Sequence, residues 1–144
     1  MEAANIKEEI WKHIKEEQIV FLATVEEKQP KVRPVTLLYI DEKFWVTTNI
    51  NSSKAKQILE NPKTEFCLFL ENKENPYNSG YIRAEGIAKI TQDRDTKLKV
   101  GQRANVFGTY FKDVDDPNYA LMEILPKSIE YIRPAEKKRH NIVL

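Results

Sequence analysis

Apolar positions along this chain change period several times, and each change marks an element. Ile6, Ile10 and Ile14 recur at helical spacing behind Asn5 and Glu8, a capping-box pair, and predict a first helix to about Glu17. Ile19 to Val25 is a continuous run rich in branched residues, short enough for a strand buried on both sides, and Glu26 to Pro30 turns it. Lys31 to Ile40 follows as a second strand. Asp41, Glu42 and Lys43 then make a tight polar connection into Phe44 to Thr48, so three strands form an antiparallel meander. A helix from Ser53 to Glu60 stops before Asn61-Pro62, because the residue before proline is pushed out of the helical region.

Thr64 to Leu70 reads as a fourth strand, Glu71 to Gly80 as the longest loop and Tyr81 to Ile90 as a long fifth strand in which Gly86 marks a bulge or bend. Thr91 is expected to cap a helix through about Arg103. An aromatic cluster, Phe107 to Phe111, leads to an acidic turn, and Tyr119 to Leu125 and Ile129 to Ile132 read as final strands. The segment 136–144 reads as a flexible tail. Many antiparallel strands with three short helices give a mainly β fold with short helices (α+β), a small closed or partly closed barrel with helices at its ends.

At 144 residues the chain fits one domain. Its 23 Lys and Arg against 22 Asp and Glu leave a net charge of +1, so no global field holds nucleic acid or an anionic membrane. No apolar stretch approaches the roughly 18 residues of a membrane span, and Met1 to Asn5 lacks the basic and apolar regions of a signal peptide. The expected compartment is the cytoplasm. The single Cys67 sits in an apolar run and reads as a small buried hydrophobe rather than a nucleophile. His13 and His140 lie far apart, which leaves no raw material for a metal cluster.

Candidate chemistry concentrates where the third strand meets the second helix. Lys54 and Lys56 open that helix and Glu60 closes it, against the polarity of the helix dipole, whose N-terminus disfavours a cation by about 0.3–1 kcal/mol. Ser52, Ser53 and Lys54 offer backbone N–H groups, hydroxyls and an ammonium, a set that suits a phosphate. The same residues also suit an ordinary capped helix with its lysines in water. Arg33 stands beside Pro34, which marks an edge or bulge of strand two; it is either a rim residue aimed at an anion or a solvated arginine. Thr47 and Thr48 end strand three near the same rim.

Taken in order, Arg33-Pro34-Val35, a hairpin, Thr47-Thr48-Asn49, Ser52-Ser53-Lys54-Ala55 with Gln57-Ile58, and Asn61-Pro62 before an apolar strand resemble the flavin mononucleotide (FMN)-binding antiparallel split β-barrels of the pyridoxamine 5'-phosphate oxidase-like superfamily. The compact ending through Tyr131 resembles its small general-stress-protein branch. The resemblance implies cofactor-binding roles for Arg33, Pro34, Val35, Thr47, Thr48, Ser52, Ser53 and Lys54. Tyr81 stands where the family places a glutamine that reaches the flavin from the partner subunit. Authentic pyridoxamine phosphate oxidases carry a substrate lysine where this chain has Leu38, and an Arg-x-His pair near the C-terminus; here Arg139 and His140 are adjacent.

The implied protein is an FMN-dependent oxidoreductase acting on a small-molecule redox substrate, a homodimer with the cofactor between subunits. A non-enzymatic carrier or sensor of flavin or heme and a deazaflavin-dependent reductase are the alternatives. No histidine or isolated carboxylate is read near the rim, so no catalytic residue is named.

Overall fold

The meander read in the first third of the chain is present in the structure, a computed structural model that describes residues 2–144. Strands β1 (Glu17–Glu26), β2 (Gln29–Ile40) and β3 (Lys43–Asn49) follow helix α1 (Glu2–Lys12). Helix α2 (Ser53–Glu60), β4 (Lys63–Leu70), β5 (Gly80–Thr91), α3 (Arg94–Arg103), β6 (Tyr119–Ile132) and β7 (Arg139–Val143) complete it. The sheet order is β3-β2-β1-β4-β5-β6-β7, and β3 also pairs with β6, so β1 to β6 close into a barrel. All ladders are antiparallel. None of the described helices is long and apolar enough to cross a membrane.

Two apolar cores lie on opposite sides of this wall. The larger fills the barrel with Val20, Leu22, Phe44, Phe66, Ile82, Met122 and Tyr131, and Ile6 and Ile10 of α1 close one end. The smaller lies outside the barrel, where Leu38, Ile40, Trp45 and Leu121 pack under α3 and the segment that follows it, through Val100, Val106 and Phe111. Leu38 and Ile40 therefore face away from the barrel interior that takes Val35 and Leu37. The alternation of strand two serves two cores rather than one core and water.

Several boundaries differ from the sequence reading. Helix α1 already includes Asn5, so Asn5 caps nothing, and it ends at Lys12 because Glu17 enters the β1–β2 ladder opposite Leu38. Thr91 ends β5, and Asp93 caps α3 instead, its side chain accepting from the Thr96 N–H. The last two strands are one continuous β6. Its register slips at Gly86, where Glu85 faces Ser128 and Gly86 faces Pro126, so the bend expected of that glycine is found. A Cβ on Gly86 would lie 2.1 Å from the Leu125 carbonyl oxygen. The tail reading is overturned in part: Arg139–Val143 is β7, paired with Ser128–Ile132, and Ile142 is buried in the barrel core. A short edge strand with one buried apolar side chain has too little alternation to be read from sequence.

Helix α1 is tied to the far end of β6 by charge. Glu9 accepts from Nε and Nη2 of Arg133, both at 2.8 Å, and from the Tyr131 hydroxyl. Arg133, then Tyr131, hold the Glu9 carboxyl down at about 2, from an ordinary 4.5. A depressed carboxylate contributes stability above its unfolded value and loses it as pH falls through the folded one. The stability advantage of the parent chain over Glu9→Gln should therefore be full above pH 4.5 and shrink toward pH 2, read from thermal melts of both across that window. A constant difference would place no protonation at Glu9.

Candidate functional site

A groove opens where β3 leaves β2. The two strands pair only from Leu38 opposite Trp45 to Ile40 opposite Lys43, whereas on its other edge β3 pairs with β6 all the way from Phe44 to Asn49, Thr48 meeting Ala120. Beyond Leu38, β2 has only β1 as a neighbour. Pro34, which has no N–H to give a ladder, falls in that stretch, so the expected edge position is found. The gap is a cavity of about 480 Å³, walled by Pro34, Val35 and Thr36 of β2, Thr47, Thr48 and Asn49 of β3, and Lys54 of α2. The segment after α3 adds Val106, Tyr110 and Phe111, and Glu17 of β1 closes the end beside Leu38. The volume falls within the roughly 300–1,000 Å³ usual for small-molecule sites.

The start of α2 forms one end. Ser52 is its N-cap, accepting from the Ala55 N–H at 3.3 Å, and its hydroxyl lies 3.1 Å from that of Thr48. The N–H groups of Ser53 and Lys54 sit in the first turn, where a helix offers no internal acceptor. No acidic residue occupies that turn, and Lys54 is half-buried with no ion pair among the described residues. Burial pushes the Lys54 ammonium below its usual range, and the nearby positive charge of Arg33 adds to this. An anion in the groove would relieve both effects. The donor set of hydroxyls, free N–H groups and one unpaired ammonium fits a phosphate monoester.

Of the residues proposed from sequence, Pro34, Val35, Thr47, Thr48 and Lys54 line the groove directly. Ser52 supports it through Thr48 and the cap, and Ser53 is exposed at the helix start. Arg33 does something else. Its Nη1 donates to Thr24 Oγ1 at 2.7 Å and its Nη2 to Gln57 Oε1 at 2.8 Å, while Gln57 Nε2 donates to Glu26 at 3.1 Å. Thr24 and Gln57 are both buried. The guanidinium thus bolts α2 to β1 rather than walling the groove. Tyr81 is also outside the lining: its hydroxyl donates to Glu130 at 2.8 Å and the Arg83 guanidinium lies 5.8 Å from its ring.

Glu17, Thr36, Val106 and Tyr110 were not proposed for the site from sequence, Asn49 entered only as part of the motif that carries the resemblance, and Leu38 was noted only as a departure. Glu17 corrects the statement that no isolated carboxylate stands near the rim. The register Glu17 to Leu38 follows from the β1–β2 hairpin but not from strand one read alone.

A family model described as pyridoxamine 5'-phosphate oxidase matches residues 6–133. This chain belongs to the pyridoxamine 5'-phosphate oxidase family. Within that family it is similar to General stress protein 26 of Bacillus subtilis (strain 168), 26% identical over 137 residues that cover 95% of each chain. The crystal structure of General Stress Protein 26 from Bacillus anthracis str. Sterne superposes with a TM-score of 0.72 at 27% identity, covering 97% of this chain and 99% of that one. The split-barrel resemblance read from sequence is therefore correct. A heme binding protein from Mycobacterium smegmatis shares the fold, with a TM-score of 0.70 at 11% identity over 89% of this chain and 53% of its own.

Proposed function

We propose that this member of the pyridoxamine 5'-phosphate oxidase family is an FMN-binding, flavin-dependent oxidoreductase whose cofactor occupies the groove between β2 and β3. The observation that carries the reading is Lys54, a half-buried ammonium with no ion pair among the described residues, at a helix start that opens into the cavity. Lys54 and the first-turn N–H groups of α2 would hold the phosphate, with Thr47 and Thr48 offering hydroxyls along β3. Pro34 and Val35 give an apolar edge against which a flat ring can lie. FMN, when bound, supplies electron and hydride transfer, and the protein binds, orients and shields it.

The reading includes a homodimer. The outer face of β1, β2 and β4 exposes Ile19, Phe21, Val32 and Phe69, and the β1–β2 register sets Ile19 opposite Thr36 and Phe21 opposite Pro34, both at the groove. A second copy over this strip would cover an apolar patch and wall the open side of the groove. A cytoplasmic setting goes with the single free Cys67. Heme fits the groove less well, since its lining holds no His, Cys or Met and only Tyr110 is of a heme-ligating type.

Fluorescence titration of the purified protein with FMN tests this: saturable quenching in the micromolar range is expected, with light scattering returning a dimer mass. Absence of saturation would overturn the cofactor, and a monomer with FMN bound would overturn the dimer. A bound deazaflavin would declare itself in the absorption spectrum. Reduction of the bound flavin by a nicotinamide cofactor is expected of the enzyme and not of a carrier.

A further inference from the structure

Among the described residues that line the groove, Tyr110 and Phe111 are the ones that carry aromatic rings. Phe111 is buried and packs on the Tyr119 ring with centroids 4.9 Å apart, so it is spent on the smaller core. Tyr110 is 76% exposed, and its side chain enters no hydrogen bond, ion pair or ring contact among the described residues. A large aromatic ring that lines a cavity and packs on no other ring is available to whatever enters.

The turn that carries Tyr110 is pinned on both sides. Gly108 adopts φ +81°, the left-handed region that favours glycine, and its N–H donates to the Phe111 carbonyl at 2.6 Å. The N–H groups of Tyr110 and Phe111 both reach the Val106 carbonyl at 3.0 Å. Phe107 meets Tyr119 edge-on at 5.5 Å, in space that Gly101 leaves open, since a Cβ there would lie 2.3 Å from the Phe107 ring. Phe107 and Phe111 thus fasten the turn to the fold and Tyr110 is its free ring. With the backbone held, a tyrosine has only two side-chain torsions to lose when a ligand covers it, so ordering it costs little.

We propose that Tyr110 is the stacking face for the isoalloxazine ring of FMN, and that it tunes the cofactor by favouring the oxidised form. The assignment rests on FMN occupying the groove. FMN has a phosphate, a polyhydroxyl chain and one flat aromatic system. Lys54 and the lining hydroxyls suit the first two, and only the third gains from an aromatic side chain. The face of a tyrosine ring carries the negative part of its quadrupole, so it attracts the electron-poor oxidised ring more than the reduced one, which holds two further electrons. Tyr110 therefore keeps the potential of the bound flavin below the value the groove would give without it.

The test is calorimetry of the full-length protein with FMN and with lumiflavin, the ring without its ribityl phosphate, followed by potentiometry of the FMN-loaded forms. Tyr110→Leu should weaken both ligands by the same factor, about two- to tenfold, the scale of one aromatic pair. Tyr110→Phe should keep the parent affinities, because the ring and not the hydroxyl makes the contact. Thermal melts of the ligand-free Leu variant should match the parent, since the side chain is exposed. The potential of bound FMN should rise in Tyr110→Leu, by up to about 30 mV where a tenfold loss falls on the oxidised form alone, and stay at the parent value in Tyr110→Phe. Unchanged affinities in Tyr110→Leu, a loss for FMN that lumiflavin does not share, or a potential that stays or falls overturns the proposal. If FMN fails to bind the parent chain, the cofactor reading falls and takes this assignment with it; if FMN binds and the Leu variant behaves as the parent, this assignment alone is wrong.

Discussion

Lys54→Ala should weaken FMN by about ten- to a hundredfold while leaving riboflavin, which lacks the phosphate, nearly untouched. A hydrogen bond to a charged group contributes about 1.5–3 kcal/mol, and each 1.4 kcal/mol is about tenfold in affinity. The structure sharpens this expectation. Lys54 is half-buried, pushed below its usual range by burial and by Arg33, and stands in a first turn with no acidic residue to share it. Removing it deletes the one cation that the described residues bring to the groove lining and costs no ion pair among them. Calorimetry of the two ligands against parent and variant reads the result. Equal losses would mean that the α2 start does not hold the phosphate and is simply a capped helix.

Arg33→Ala should behave differently, losing stability first. The substitution removes the charged donor shared by Thr24 and Gln57, both buried, and leaves the Thr24 hydroxyl and Glu26 alone to tie Gln57 to β1. Thr24 and Gln57 keep their bond to each other, so what is lost is hydrogen bonding to a charged group, and a fall of about 1.5–3 kcal/mol in unfolding free energy is expected, read from urea denaturation. Because Gln57 sits on the same short helix as Lys54, loosening α2 should weaken FMN and riboflavin by similar factors. A loss confined to FMN, with stability unchanged, would show that Arg33 turns to the phosphate after all.

The contrast between these two residues shows what a sequence discloses and what it hides. The inverted charge of α2 was visible because dipole and capping effects are local: they need only the order Ser52-Ser53-Lys54 and the absence of an early acid. Strand positions Pro34, Thr47 and Thr48 were visible because a proline marks an edge or bulge and strand three ends beside the helix start, whereas Val35 entered only through the family resemblance. The acceptors of Arg33 were not, because Thr24 and Gln57 reach it through a hairpin register and a helix packed across the barrel end. Glu17 and Tyr110 were hidden for the same reason. Each comes from a segment with no local sign of the groove, and only the β1–β2 register and the turn after α3 bring them to it. The strand Arg139–Val143 was missed because its pairing with β6, not its own pattern, makes it a strand.

The parting of β3 from β2 has a bearing on how the molecule comes to be. The hairpin of β1 and β2 joins residues close in the chain, so it can form early and at small entropic cost, whereas the ladder that sets Phe44 against Ile124 must wait for most of the polypeptide. That late ladder holds Thr47 and Thr48 in place, and the residues just before it, Val106 to Phe111, supply the opposite wall. Ligand capacity should thus appear in the last kinetic phase of refolding, after the β signal in circular dichroism is largely recovered. A ligand of this groove would act as a latch on the slowest seam of the barrel, retarding its unfolding more than it hastens its assembly.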